Sequence, residues 1–170
     1  MSEISRNLYQ KLLKRYSRRI NLDLKRIKKV LGKLGNPERQ LNNVINVIGS
    51  DGKNSFLTSL KYFLEANNYK VNTFTSPHLY DVRQRFWLGN RFITIKEIKK
   101  FKKIVEQTKI KITLFELLTC IYILAASKAD SDSFNFSTVF MVYEPEKKEI
   151  VDITFRKNSE DFYLLMIHAS

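Results

Sequence analysis

The residues best suited to chemistry lie in one short run, Gly49-Ser50-Asp51-Gly52-Lys53-Asn54-Ser55. Before it, Val44 to Ile48 is β-branched as a buried strand requires; after it, Phe56, Leu57, Leu60, Phe63 and Leu64 repeat at helical spacing. A strand, a glycine loop and a helix in that order aim successive backbone N–H groups into one concavity at a helix N-terminus, where the dipole favours an anion. Lys53 adds a flexible point charge for terminal phosphate oxygens, Ser55 a hydroxyl for a phosphate or its metal, and Gly52 close backbone approach. The spacing Gly-x-x-Gly-Lys-x-Ser is shorter than the common Gly-x-x-x-x-Gly-Lys-Ser/Thr. An ordinary βα turn with a chance lysine is therefore the competing explanation.

The elements that must position this loop are readable around it. Leu8, Leu12, Tyr16 and Ile20 recur every four residues, and Leu24, Ile27, Val30, Leu31 and Leu34 continue a helical stripe after an Asn21 cap. Two basic amphipathic helices are expected, the second stopped by Gly35-Asn36-Pro37. Lys70 to Phe74 reads as a second strand, parallel to the first through a crossover helix. Trp87, in the long segment Leu79 to Phe92, suits either a mobile loop that closes over substrate or a hydrophobic anchor. Thr94 with Glu97, and Thr113 with Glu116, are capping boxes that place two further helix starts. The later helix, Leu114 to Ala126, is apolar on nearly every side and belongs inside a layered α/β fold. Cys120 lies within it, which makes it a buried thiol without a catalytic role. Further on, Thr138 to Tyr143, Ile150 to Phe155 and Phe162 to Ile167 are strand-like, suiting a meander or a sheet edge.

Composition sets the limits. The 170 residues are 44% apolar, enough for one core, and no apolar run reaches the roughly 18 residues of a membrane span. No signal pattern opens the chain, so a cytoplasmic monomer without a membrane partner is expected. The net charge of +13 is uneven: residues 1–40 hold six lysines and six arginines against three acids, whereas residues 131–170 hold four bases against seven acids. A solvated basic helix face is the simpler explanation of that excess, with a nucleic-acid surface behind it.

Four segments in order resemble the folylpolyglutamate synthase/dihydrofolate synthase family of the Mur ligase-like superfamily. These are Leu34-Gly35-Asn36-Pro37, the glycine loop, Thr75-Ser76-Pro77-His78-Leu79 and Leu114-Phe115-Glu116, with Ile20-Asn21-Leu22-Asp23-Leu24-Lys25-Arg26-Ile27 resembling an earlier family segment. The resemblance covers roughly residues 8–130. It implies a three-layer α/β ATP-binding domain with a mostly parallel sheet, the N-terminal portion of a ligase. That ligase adds L-glutamate to dihydropteroate or folate through an acyl phosphate, using ATP and Mg2+. By position, Gly49, Ser50, Asp51, Gly52, Lys53, Asn54 and Ser55 would bind ATP, with Lys53 neutralising charge in the reaction. Ser76 and Ser55 would ligate the metal, and Arg19, Ile20, Asn21, Leu22, Thr113, Leu114, Phe115 and Glu116 would contact the pteroate.

The loop departs from the family in Asp51, where Asn is usual, and Asn54, where Gly is usual. Residues 131–170 carry no resemblance, and the family's metal-binding Glu, its Gly-Gly-Arg turn and its later His and Lys are not recognisable there. The domain expectation is thus an incomplete N-terminal ATP/pteroate-binding ligase domain over 1–130 and a divergent β-rich tail over 131–170, without the C-terminal ligase domain. A non-catalytic nucleotide-binding remnant or partner subunit is the second expectation, and a basic nucleic-acid-binding protein the third.

Overall fold

The computed structural model describes residues 3–18, 24–49, 52–129, 134–138, 142–144, 149–151 and 163–167. Two helices, α1 (Glu3–Arg15) and α2 (Lys25–Lys33), precede strand β1 (Val44–Gly49) and helix α3 (Lys53–Ala66). Strand β2 (Val71–Phe74) leads through a 3-10 turn to a hairpin, β3 (Phe86–Gly89) and β4 (Arg91–Phe92). Helices α4 (Ile95–Gln107) and α5 (Leu114–Ala126) follow, then β5 (Phe134–Thr138), β6 (Val142–Glu144), β7 (Glu149–Val151) and β8 (Tyr163–Ile167).

Six strands form one sheet in the order β4-β3-β2-β5-β1-β8. The pairings β1 with β5, β1 with β8 and β2 with β5 are parallel, while β3 and β4 extend the sheet antiparallel to β2. The expected parallel relation of the two strands flanking α3 holds, with β5 between them. Of the strand-like runs late in the chain, the last supplies a sheet edge as β8. Strands β6 and β7 pair only with each other among the described residues.

Alternation of side chains gives the sheet two apolar faces. Val47 and Val71 pack with Leu57 of α3 on one side. On the other, Phe74 and Phe86 join Leu8 and Leu12 of α1, Ile27, Val30 and Leu31 of α2, Ile98, Phe101 and Val105 of α4, and α5. The result is helix, sheet and helices in three layers. Phe74 stacks on Tyr122 with centroids 5.3 Å apart, and also meets Phe86 and Phe115.

Every residue of α5 except Phe115 is buried, which explains an apolar composition on all sides. Both capping boxes form as expected: Thr94 accepts from the N–H of Glu97 and Thr113 from that of Glu116. Helix α2 begins at Lys25, and Gly35 (φ +83°) closes it in the left-handed region. The expected cap Asn21 lies outside the described residues. Among these residues no helix is long and apolar enough to cross a membrane.

Buried amides tie the sheet together where carbon alone would leave register loose. Asn72 of β2 donates from Nδ2 to Asn135 Oδ1 of β5 at 3.0 Å, and its Oδ1 accepts the Gly89 N–H of β3 at 2.9 Å. Asn135 Nδ2 donates onward to the Asn42 carbonyl just before β1 at 2.7 Å. A one-residue slip would strand these polar groups in the core, so the ladder fixes which residues face α3 and which face α5.

Candidate functional site

Parallel strands β1 and β2 end at the same edge of the sheet. Through β5, Asn46 of β1 and Phe74 of β2 both align with Ser137. The segments that follow each strand therefore emerge side by side, one strand apart, about 10 Å by sheet spacing. In open α/β sheets that carboxyl edge is where ligands bind.

On the β1 side, Gly52 has φ +71° and is the residue before α3, so a side chain there would be strained even though a Cβ would meet nothing within 4 Å. The helix it opens is fourteen residues long and starts with Lys53, which is buried while Asn54 and Ser55 are exposed. No acidic residue lies in its first turn, so the positive end of the helix dipole and the lysine act together. Gly49 ends β1. Ser50 and Asp51 lie outside the described residues.

On the β2 side, Ser76 is buried in the turn Thr75-Ser76-Pro77-His78, which has a cis Ser76-Pro77 bond. Arg85, itself only 7% exposed, donates from Nη1 to Ser76 Oγ at 2.9 Å and from Nε to His78 Nδ1 at 2.8 Å. Its desolvation by burial pulls the guanidinium below its ordinary pKa, partly offset by the electrostatic influence of Tyr9 of α1. The same Tyr9 meets the His78 ring edge to face at 4.5 Å. Because His78 Nδ1 accepts, its proton sits on Nε2, and burial followed by the charge of Arg85 holds the imidazole neutral below its usual pKa.

Behind this turn Asp81 caps the 3-10 turn and receives Ser5 Oγ at 2.5 Å and Arg83 Nη2 at 2.7 Å. Burial pushes the Asp81 carboxyl up, but the hydrogen bonds of Arg83 and Ser5 prevail and hold it far below the carboxylate range. Gln84 Oε1 accepts the N–H groups of Leu79, Tyr80 and Asp81. The loop after β2 is thus a hydrogen-bonded block clamped against α1. An open cavity of about 370 Å³ lies on its outer side, lined by Tyr80, Asp81, Arg83, Gln84 and Phe92.

The third predicted group, Thr113 to Glu116, forms the N-terminal turn of α5. Glu116 is buried and accepts the Thr113 N–H at 2.7 Å and Arg26 Nη2 of α2 at 3.0 Å. The Leu114 N–H donates to the Ser17 carbonyl at 3.0 Å. Leu114 is buried, and Phe115 is half-buried beside Phe74. Arg19, Ile20, Asn21 and Leu22 lie outside the described residues, as does His168. Ser17 and Arg26, which bracket 19–22 in the chain, both bond this turn.

Trp87 sits in β3 opposite Thr73, not in a mobile loop, and donates from Nε1 to Glu65 of α3 at 2.7 Å with Lys61 Nζ 3.8 Å from its ring. It anchors α3 to the hairpin. Sequence reasoning missed Arg85, whose role depends on a contact seven residues back, and Tyr9, whose helical setting does not reveal its reach. The one signal available was a charge of odd placement, an arginine next to Phe86 at the start of a half-buried strand.

Metal affinity follows from the donors present. Among the described residues no group of three or more His, Cys, Asp and Glu side chains is arranged to hold an ion. The predicted ligands Ser55 and Ser76 are neutral, hard hydroxyl donors. They fit Mg2+ that keeps several waters and shares its coordination with phosphate oxygens, rather than an ion caged by protein alone.

No family model matches the chain. Among curated proteins, it is 36% identical to the dihydrofolate synthetase of Saccharomyces cerevisiae over 105 residues, 59% of this chain and 24% of the yeast protein. It is 27% identical to the dihydrofolate synthase/folylpolyglutamate synthase of Bacillus subtilis over 124 residues, 68% of this chain and 29% of the other. The chain thus spans about a quarter of the length of the curated relatives it matches. Among solved structures, E. coli FolC in complex with DHPP and ADP superposes with a TM-score of 0.68 at 22% identity, covering 80% of this chain and 33% of that one. The bifunctional folylpolyglutamate synthase/dihydrofolate synthase of Yersinia pestis complexed with AMPPNP and Mn gives 0.65 at 22% identity, with 84% and 34% covered. These two likenesses show that the chain shares the fold of about a third of each of those proteins.

Proposed function

We infer that the chain, a relative of the N-terminal region of folylpolyglutamate and dihydrofolate synthases, carries the ATP-binding part of a ligase that joins L-glutamate to dihydropteroate or folate. The observation that carries this reading is the pairing of a left-handed Gly52 with a buried Lys53 at the start of a long helix, at the carboxyl end of an interior parallel strand. The two relatives are named for dihydrofolate and folylpolyglutamate synthesis, and the two solved neighbours hold ADP or AMPPNP.

The chemistry needs no nucleophile from the protein. The substrate carboxylate attacks the γ-phosphorus of ATP and ADP leaves; the glutamate amine then attacks the acyl phosphate, expelling phosphate and forming an amide. The protein contributes alignment and charge neutralisation, which dominate phosphoryl transfer. Lys53, the N–H groups at the start of α3 and the helix dipole receive the triphosphate, with Gly49 to Ser55 forming its cradle. Ser55 and Ser76 would hold Mg2+, which would neutralise phosphate charge when bound. Arg19 to Leu22 together with Thr113 to Glu116 form the pteroate side, supported by the bonds of Ser17 and Arg26 to the first turn of α5.

Calorimetric titration with ATP and Mg2+ tests the nucleotide site. Binding is expected in the wild type and a loss of at least about tenfold in Lys53→Ala; equal affinities would refute it. Incubation with ATP, Mg2+, dihydropteroate and labelled glutamate tests the ligase. Conjugate formation would extend the function of this chain to ligation, and ATP binding without conjugate would confine it to nucleotide binding.

A further inference from the structure

Arg85 is buried, charged and aimed into the loop after β2, where no carboxylate among the described residues pairs with it in the contacts that define its position. Its fork spends Nη1 on Ser76 Oγ and Nε on His78 Nδ1, and Tyr9 of α1 packs edge to face against that histidine ring. A guanidinium desolvated in this way is a costly fixture, and the neighbouring Arg83, which pairs with Asp81 at 2.7 Å and is half-buried, shows the cheaper arrangement two residues away.

Hydrogen-bond geometry explains what the fixture does. A serine hydroxyl on a free rotamer presents its hydrogen as readily as its lone pairs. With one lone pair taken by a cationic donor, the oxygen is held in one place, and its remaining lone pair and its hydrogen are confined to the other side. Arginine suits this task because its planar fork bonds two acceptors at a fixed separation; a lysine ammonium at the same site has no such fork. The bond to His78 fixes the second acceptor and its tautomer at once.

We propose that Arg85 is a positioning residue for the Ser76 hydroxyl, holding it as an oxygen donor toward nucleotide-bound Mg2+ from a framework that includes His78 and Tyr9. The assignment rests on the nucleotide-site reading above and extends it to a residue outside the phosphate cradle. Arg85 touches neither phosphate nor metal in this role. Groups that orient a metal-binding side chain typically alter metal affinity about 10- to 100-fold when removed.

The test compares ATP affinity with Mg2+ and with EDTA in the full chain and in Arg85→Gln, Arg85→Lys, Ser76→Ala and the double variant Arg85→Gln/Ser76→Ala. The expected result is a gain in affinity from Mg2+ in the wild type, a roughly tenfold smaller gain in each single variant, an EDTA value unchanged in the two Arg85 variants, and no further loss of the gain in the double variant. Nitrogen NMR of His78 supplies a readout independent of nucleotide: a single Nε2–H tautomer in the wild type and mixed tautomers in Arg85→Gln. Circular dichroism and melting identify any variant that fails to fold, in which case Arg85→Lys decides. Additive losses, an unaltered Mg2+ gain in Arg85→Gln, or an unaltered His78 tautomer would overturn the assignment and leave the nucleotide site standing. Absence of any ATP binding by the wild type would overturn both.

Discussion

Arg26 Nη2 lies 3.0 Å from one carboxylate oxygen of Glu116, while the other oxygen of that carboxylate accepts the Thr113 N–H at 2.7 Å. One buried acid thus ties α2 to α5 and caps α5. Glu116→Ala removes both bonds and is expected to destabilise the chain by about 2 kcal/mol. Glu116→Gln, which can still cap, is expected to lose less. Urea unfolding midpoints measure both, and equal losses would show that the capping bond is energetically silent.

Gly52 is the left-handed residue through which the chain turns into α3. Its φ is +71° and the space a methyl group would enter is open, so Gly52→Ala suffers from backbone conformation alone, about 1 kcal/mol. Gly52→Asn is expected to lose less, because Asn adopts the left-handed region more readily. Thermal unfolding of the two variants checks the order, and a larger loss for Asn would contradict it.

Glu97 is held at a pKa of about 2, first by the bidentate hydrogen bonds of Arg91 at 2.8 and 2.9 Å and against the opposing effect of its burial. A carboxylate depressed in the folded state binds fewer protons than in the unfolded chain. Its stabilisation is complete above the ordinary value of 4.5 and is lost as pH falls from there to about 2. Arg91 is half exposed, so the effect is under about 1 kcal/mol. Arg91→Ala should be less stable than wild type near neutrality and converge with it in acid, as followed by denaturant unfolding across that range.

Cys120 is fully buried, and burial pushes its thiol up to about 12. Iodoacetamide at about pH 8 is expected to leave the native chain unmodified and to label the unfolded chain completely. Mass spectrometry distinguishes the two; native labelling at the rate of a free thiol would show that α5 opens readily.

Much of the fold was legible because its signals are local. The β-branched run before Gly49, the helical spacing after it, and the paired Thr and Glu of each capping box all act within four residues, and β1, α3, α4 and α5 appear where those signals put them. Strand β5 was not legible. Its Phe134-Asn135-Phe136-Ser137 pattern reads poorly as interior strand because Asn135 is polar, and only the distant partners Asn72 and Asn42 make that residue tolerable in the core. The site divides in the same way. Gly52 and Lys53 declare themselves by order along the chain, and Ser76 by its resemblance to a family motif. Arg85 becomes meaningful only once the chain after β2 doubles back and brings it to Ser76 and His78.

The place of β5 between β1 and β2 bears on how the protein comes into being. The strands on either side of α3 share no hydrogen bonds with each other and are bridged in the sheet by a segment that leaves the ribosome some sixty residues after β2. During synthesis β1 and β2, linked by α3, therefore exist for a time without the strand that pairs with both, their polar edges open to other chains. Completion of the sheet between β1 and β2 is a late event in the life of the nascent polypeptide, and a pulse-labelled chain released before residue 138 should aggregate or be degraded where one released after it persists.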